Sequence, residues 1–192
     1  MPEILKKTRF PQIGLSALVL LASAGAVAQN AGAPPANADN RTAAAPQQNP
    51  PPPPARGPGL DLALEAAQAA LAASKAGDQK VAVSVIDSGG VLKAVLVSDG
   101  VGPRAVQNSN FKAQAALAFK ESSGQLAEQV KSDKDLAEKV AANPNYLARA
   151  GAVLLKVNNE IVGAIGVGGA RGSEKDEQYA LAGLQKIEAR LK

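Results

Sequence analysis

The sequence predicts an α+β domain, an antiparallel sheet flanked by helices, preceded by a segment that does not fold with it. Three observations carry this. Two β-branched runs are each broken by turn residues, at Asp87–Gly90 and at Asn158-Asn159, which is hairpin chemistry. Three other stretches repeat apolar residues at helical spacing. The order along the chain is helix, hairpin, helix, hairpin, helix, which separates antiparallel strands from helices instead of alternating them.

The first helix is "GLDLALEAAQAALAASKAGD". Leu60, Leu64, Ala67 and Leu71 form its apolar stripe, alanine dominates it, and Gly77 stands where it stops. In "KVAVSVIDSGGVLKAVLVSDG", Val81, Val83 and Val85 share one strand face, and Val91–Val97 returns after the "DSGG" turn. The turn "SDGVGP" then launches a helix over Arg104–Glu121, with Phe111, Ala115, Ala118 and Phe119 near one stripe. Shorter polar helical pieces occupy Gln125–Val140 and end at "NPN". The second hairpin joins Ala152–Val157 to Glu160–Val167 through Asn158-Asn159, residues that tolerate left-handed φ. The last helix, Glu174–Lys192, lines up Tyr179, Gly183, Ile187 and Leu191 against the sheet.

Ahead of this domain, residues 1–28 read as a signal peptide. Lys6, Lys7 and Arg9 precede an apolar run, Ile13–Val27, and Ala26-Val27-Ala28 has the small-x-small pattern of a cleavage site. The run is short for a spanning helix, so no stable membrane anchor is expected, and the protein is expected to be periplasmic or secreted. Residues 29–58 form a Pro/Ala-rich disordered linker that has almost nothing to bury, and Pro50–Pro54 is a stiff spacer. Residues 59–192 are the single folded domain, long enough for its own core.

Composition excludes several chemistries. The chain has no cysteine, so neither a disulfide nor a lipid-bearing cleavage site is available. It has no histidine either, which removes every Ser/His/Asp and Cys/His arrangement. An enzyme would have to rely on carboxylates or lysines, and Asp176, between Glu174 and Glu177, is the place to test for one. Losing residues 1–28 takes away Lys6, Lys7, Arg9 and Glu3, which lowers 21 basic residues to 18 and 17 acidic residues to 16, a net of +2. No basic cluster with interleaved aromatics appears, which argues against a nucleic-acid partner. Gly166 and Gly168 begin a dinucleotide-like spacing, but Arg171 stands where its third glycine would be.

Five segments in order, "VAVSVIDSGG", "SDGVGP", "FKAQAALAF", "IVGAIGVGGA" and "DEQYALAG", resemble the GlcG/HbpS family, over roughly Leu60 to Ile187. The resemblance implies a profilin-like fold, a homo-oligomer, and heme or a related tetrapyrrole, with iron, as the small-molecule ligand. It also implies a sensor or transporter as partner. The alternative within the family is an oligomeric structural or sensor-accessory protein whose ligand site has decayed.

Heme iron normally takes His, Cys, Met or Tyr. The only methionine is Met1, which leaves Tyr146 and Tyr179. Relatives with a threonine after the "FKA…F" helix are matched here by Ser122 and Ser123. Arg104 and Lys112 are the candidate propionate partners, or else solvated charges. Phe111 and Phe119 offer an apolar wall, or else core. Tyr179 either ligates or packs its ring on the sheet. Asp87 either lines a pocket mouth or caps its own turn. Glu174 and Glu177, three apart on one helical face, either hold a hard cation such as iron or answer the helix dipole. In this fold the glycines of 161–170 would let another element approach the strand closely.

Overall fold

The computed structural model describes residues 54–192. The predicted signal peptide and all but the last residues of the predicted linker lie outside the described residues. The described residues form one compact unit.

Helix α1 spans Leu60–Ala76 and leads to the hairpin of β1 (Ala82–Asp87) and β2 (Leu92–Val97). Helices α2 (Pro103–Phe119), α3 (Ser123–Gln129) and α4 (Lys134–Ala141) follow. The second hairpin is β3 (Ala152–Val157) and β4 (Glu160–Gly168), and α5 (Ser173–Ile187) ends in a 3-10 turn at Glu188–Arg190. The four strands form one antiparallel sheet in the order β2-β1-β4-β3. Both hairpins turn at the same end, because Ile86 pairs with Ala164 while Val157 pairs with Glu160. Asn158 and Asn159 take φ of 48° and 67°, the left-handed pair that a two-residue hairpin requires.

Every residue of β1 is buried, since the strand is central and both its faces are covered. Val83 and Val85 face α1 and α5, in one core with Ala66, Ala70, Ala180 and Ile187. Ile86 points the other way, into a cluster with Ala113 and Ala116 of α2. On that same face the Ser84 and Ser109 hydroxyls pair at 2.7 Å. The result is three layers, with α1 and α5 on one side of the sheet and α2 on the other. A third cluster joins Leu126 and Val140 to Ala115 and brings Phe119 edge-on to Tyr146 with ring centroids 5.7 Å apart.

The buried face of α1 is centred beside the predicted stripe. Ala67 is buried and Leu64 and Leu71 pack at the edge of the core, but Leu60 is 54% exposed, and Ala63, Ala66, Ala70 and Ser74 take the inside. Close helix packing is the reason: a Cβ on Gly183 of α5 would stand 2.7 Å from the Ala66 carbonyl oxygen. Only small residues permit that approach, so the alanines face inward and the leucines flank them. Gly166 does the same on the other face, where any side chain would collide with the Ser109 carbonyl of α2.

The fold also takes in the end of the predicted linker. Arg56 donates its N–H to Ser88 Oγ at 2.7 Å, and Ser88 returns its own N–H to the Arg56 carbonyl at 2.7 Å. The Arg56 guanidinium pairs with Glu160. Residues 55–58 therefore strap the hairpin end of the sheet.

Candidate ligand-binding site

The sequence-predicted residues divide into those the fold uses internally and those it leaves at the surface. Lys112 belongs to the first group. It projects from α2 past the end of the sheet, where Nζ reaches Asp176 Oδ2 of α5 at 2.7 Å and the Val167 carbonyl at 3.0 Å. Asp176 Oδ1 in turn accepts the Ala170 N–H at 2.9 Å. Lys112 is thus neither a solvated charge nor exposed to a ligand, because a buried carboxylate takes it up. Removal from water pushes the Lys112 amine down from its ordinary pKa and the Asp176 carboxyl up, each opposed by its partner. Gly151, just before β3, makes room for the pair. Its φ is +136°, and a Cβ there would lie 2.5 Å from Lys112 Nζ and 2.7 Å from the Val167 oxygen.

Ser123 is buried, with its hydroxyl accepting the Ala152 N–H at 2.8 Å, while Ser122 caps α3 in a reciprocal box with Gln125. Tyr179 packs in the core under α1, its hydroxyl against Gly77. Asp87 caps its own turn: Oδ1 accepts the N–H groups of Gly89 at 3.0 Å and Val91 at 2.9 Å. Phe111 is half-buried, and its carbonyl accepts the Leu147 N–H at 3.2 Å. Arg104 is exposed in the first turn of α2. Glu174 is exposed, whereas Glu177 lies against Gly124 of α3. Among the described residues no group of three or more His, Cys, Asp or Glu side chains gathers at one point.

An open concavity lies elsewhere, at the end of the sheet opposite the Arg56 strap. It is an open cleft of about 730 Å³ between the end of α1, the end of β2 and the β4–α5 turn. Leu71 and Ala72 form one apolar wall, and Val97, 43% exposed, forms the other. Lys75, Lys80 and Arg171 supply cations, and Asp78 and Asp99 oppose them. Gln79 builds the floor: Oε1 accepts the Arg171 N–H at 2.8 Å, and Nε2 donates to the Asp78 carbonyl at 3.0 Å. Among the described residues, none of the three cationic side chains makes an ion pair. Sequence reading missed this cleft because its walls come from 71–80, 97–99 and 169–171. The one available signal was that three glycine-containing turns with charged residues, at 77–80, 98–100 and 169–172, fall at strand ends on one side.

The residues present do not fit a heme iron bound through a strong axial ligand. Histidine and cysteine are absent, and neither tyrosine lines the cleft. The cleft offers apolar walls and cationic side chains in place of such a ligand.

Comparison with known proteins bears on which ligand this is. Residues 59–185 match the model of a family described as haem degrading protein HbpS-like. HbpS of Streptomyces reticuli, solved as a double mutant, is 30% identical, with a TM-score of 0.64 over 74% of this chain and 97% of that one. Klebsiella pneumoniae protein ORFY is 22% identical, with a TM-score of 0.66 over 73% and 96% of the two chains. PduOC, solved as a heme complex, is 18% identical, with a TM-score of 0.62 over 68% and 95%. At these identities the last two share the fold. No curated protein sequence matches the chain.

Proposed function

Since the chain belongs to the HbpS-like family, we propose that it is a periplasmic or secreted binding protein for heme or a related tetrapyrrole. The observation that carries this is the family match, which runs through every strand of the sheet and nearly all of α5. The cleft supports it. Its volume falls in the range of small-ligand sites, and its lining combines apolar walls with convergent charges. Export is supported by Lys6, Lys7 and Arg9 ahead of the apolar Ile13–Val27 run and by Ala26-Val27-Ala28. In this reading the protein assembles as a homo-oligomer, buffers the tetrapyrrole outside the cytoplasm and passes it to a sensor or transporter. Iron at Glu174 and Glu177 is a weaker part of the reading, because two carboxylates without a third ligand grip a hard cation poorly.

Hemin titrated into the purified chain tests the proposal. The expected result is a shifted Soret band that saturates at a fixed stoichiometry. A band that keeps the position of free hemin and never saturates contradicts it.

A further inference from the structure

A tetrapyrrole held by a chain without a strong iron ligand needs another source of affinity. Resting on the tetrapyrrole reading above, we propose that the cleft between α1, the end of β2 and the β4–α5 turn grips the ligand by its apolar face and its propionate carboxylates. Binding is then independent of the metal.

The walls suit one face each. Leu71 and Ala72 on α1 and Val97 at the end of β2 present apolar surface that solvent still reaches, and covering it with a flat ring gains hydrophobic free energy. The cations suit the acids. Lys75 comes from the last turn of α1, Lys80 from the turn before β1, and Arg171 from the turn before α5. Their charges come from three separate segments and bond to no acid among the described residues. Gln79 accepts the Arg171 backbone N–H, which sets where that side chain leaves the rim.

The oxygen donors of the cleft do not amount to an iron site. Ser98 Oγ already accepts the Val81 N–H, at 3.3 Å. Asp78 and Asp99 remain, and their charge counts against a ligand bearing carboxylates, leaving three cations against two acids. Neutralising Asp99 therefore separates the two ways of binding. Asp99→Asn tightens a ligand held by its propionates, whereas it weakens hemin alone if Asp99 is an iron ligand.

The test compares hemin, metal-free protoporphyrin and protoporphyrin dimethyl ester, titrated into the full chain by fluorescence quenching or absorbance. Hemin and metal-free protoporphyrin are expected to bind within about threefold of each other, and the ester roughly tenfold or more weaker, since it lacks the charges the cations meet. Lys80→Glu combined with Arg171→Glu is expected to weaken both acids by roughly tenfold or more, and Lys139→Glu, on α4, to leave both unchanged. Both cleft side chains are exposed, and circular dichroism checks that the variant folds. Hemin binding without protoporphyrin binding overturns the inference while leaving the tetrapyrrole function standing. Ester binding as tight as the free acid, or charge reversal without effect, also overturns it. Failure of all three ligands removes the function itself.

Discussion

Lys112 Nζ and Asp176 Oδ2 meet at 2.7 Å, with only 2% and 4% of their side chains exposed. The contact ties α2, on one face of the sheet, to α5, on the other. It closes around the end of β4, whose Val167 carbonyl takes a second Lys112 proton. Through Asp176, which also accepts the Ala170 N–H, it ties down the backbone of the β4–α5 turn that carries Arg171.

A buried pair of this kind is costly to halve and cheap to replace. Lys112→Met leaves the Asp176 carboxyl buried without its partner, and a loss of roughly 3–5 kcal/mol in urea unfolding is expected. Lys112→Met with Asp176→Leu is expected to recover more than half of that loss. A double variant no more stable than the single one contradicts the assignment.

The pair also sets a pH dependence. Asp176 has its pKa raised by burial, so between its ordinary value of 3.8 and the raised value the folded state holds more protons than the unfolded state. Stability contributed by this group falls as pH rises through that window. Lys112 has its pKa lowered by burial, so below its ordinary value of 10.5 the folded state releases its proton first, and stability rises with pH there. Unfolding free energies across pH, taken as wild type minus the Lys112→Met/Asp176→Leu variant, should therefore fall on the acid side and climb on the alkaline side. A flat difference contradicts both shifts.

Gly151 tolerates no side chain, because its φ is +136° and the space is filled by Lys112 Nζ and the Val167 oxygen. Gly151→Ala should cost about 2 kcal/mol or more in urea unfolding, since strain and overpacking add. A loss under about 0.5 kcal/mol, the ordinary range of an innocuous substitution, counts against this packing.

Asp87 caps a turn and does not line the cleft. Asp87→Ala should lower stability by about 1–2 kcal/mol, as two N–H groups lose their acceptor, with hemin affinity unchanged. A variant of unaltered stability that binds hemin more weakly reverses the assignment.

Much of the fold is legible in the sequence, because its signals are local. The alternation of Val81, Val83 and Val85 places β1, the asparagine pair at 158–159 places the second hairpin, and Tyr179, Gly183 and Ile187 mark the inward face of α5. The α1 face is not legible in the same way. Leucine outranks alanine in any hydrophobic reading, and only the partner helix, with Gly183, decides that the alanines go inside. Lys112 is a similar case, since a lysine on a helix looks solvated until a carboxylate 64 residues away is folded against it. The candidate site suffers most. Lys75 ends α1 while Lys80 and Arg171 sit in ordinary turns, and it is the antiparallel register that brings the ends of β1, β2 and β4 to one rim beside that helix end.

A crystal structure of the chain with metal-free protoporphyrin tests the central claim most directly. The ring is expected between Leu71 and Val97, with its carboxylates at Lys75, Lys80 or Arg171. A ring seated at the α2–α3 junction near Phe111 and Ser123, with the cleft left open, would contradict it.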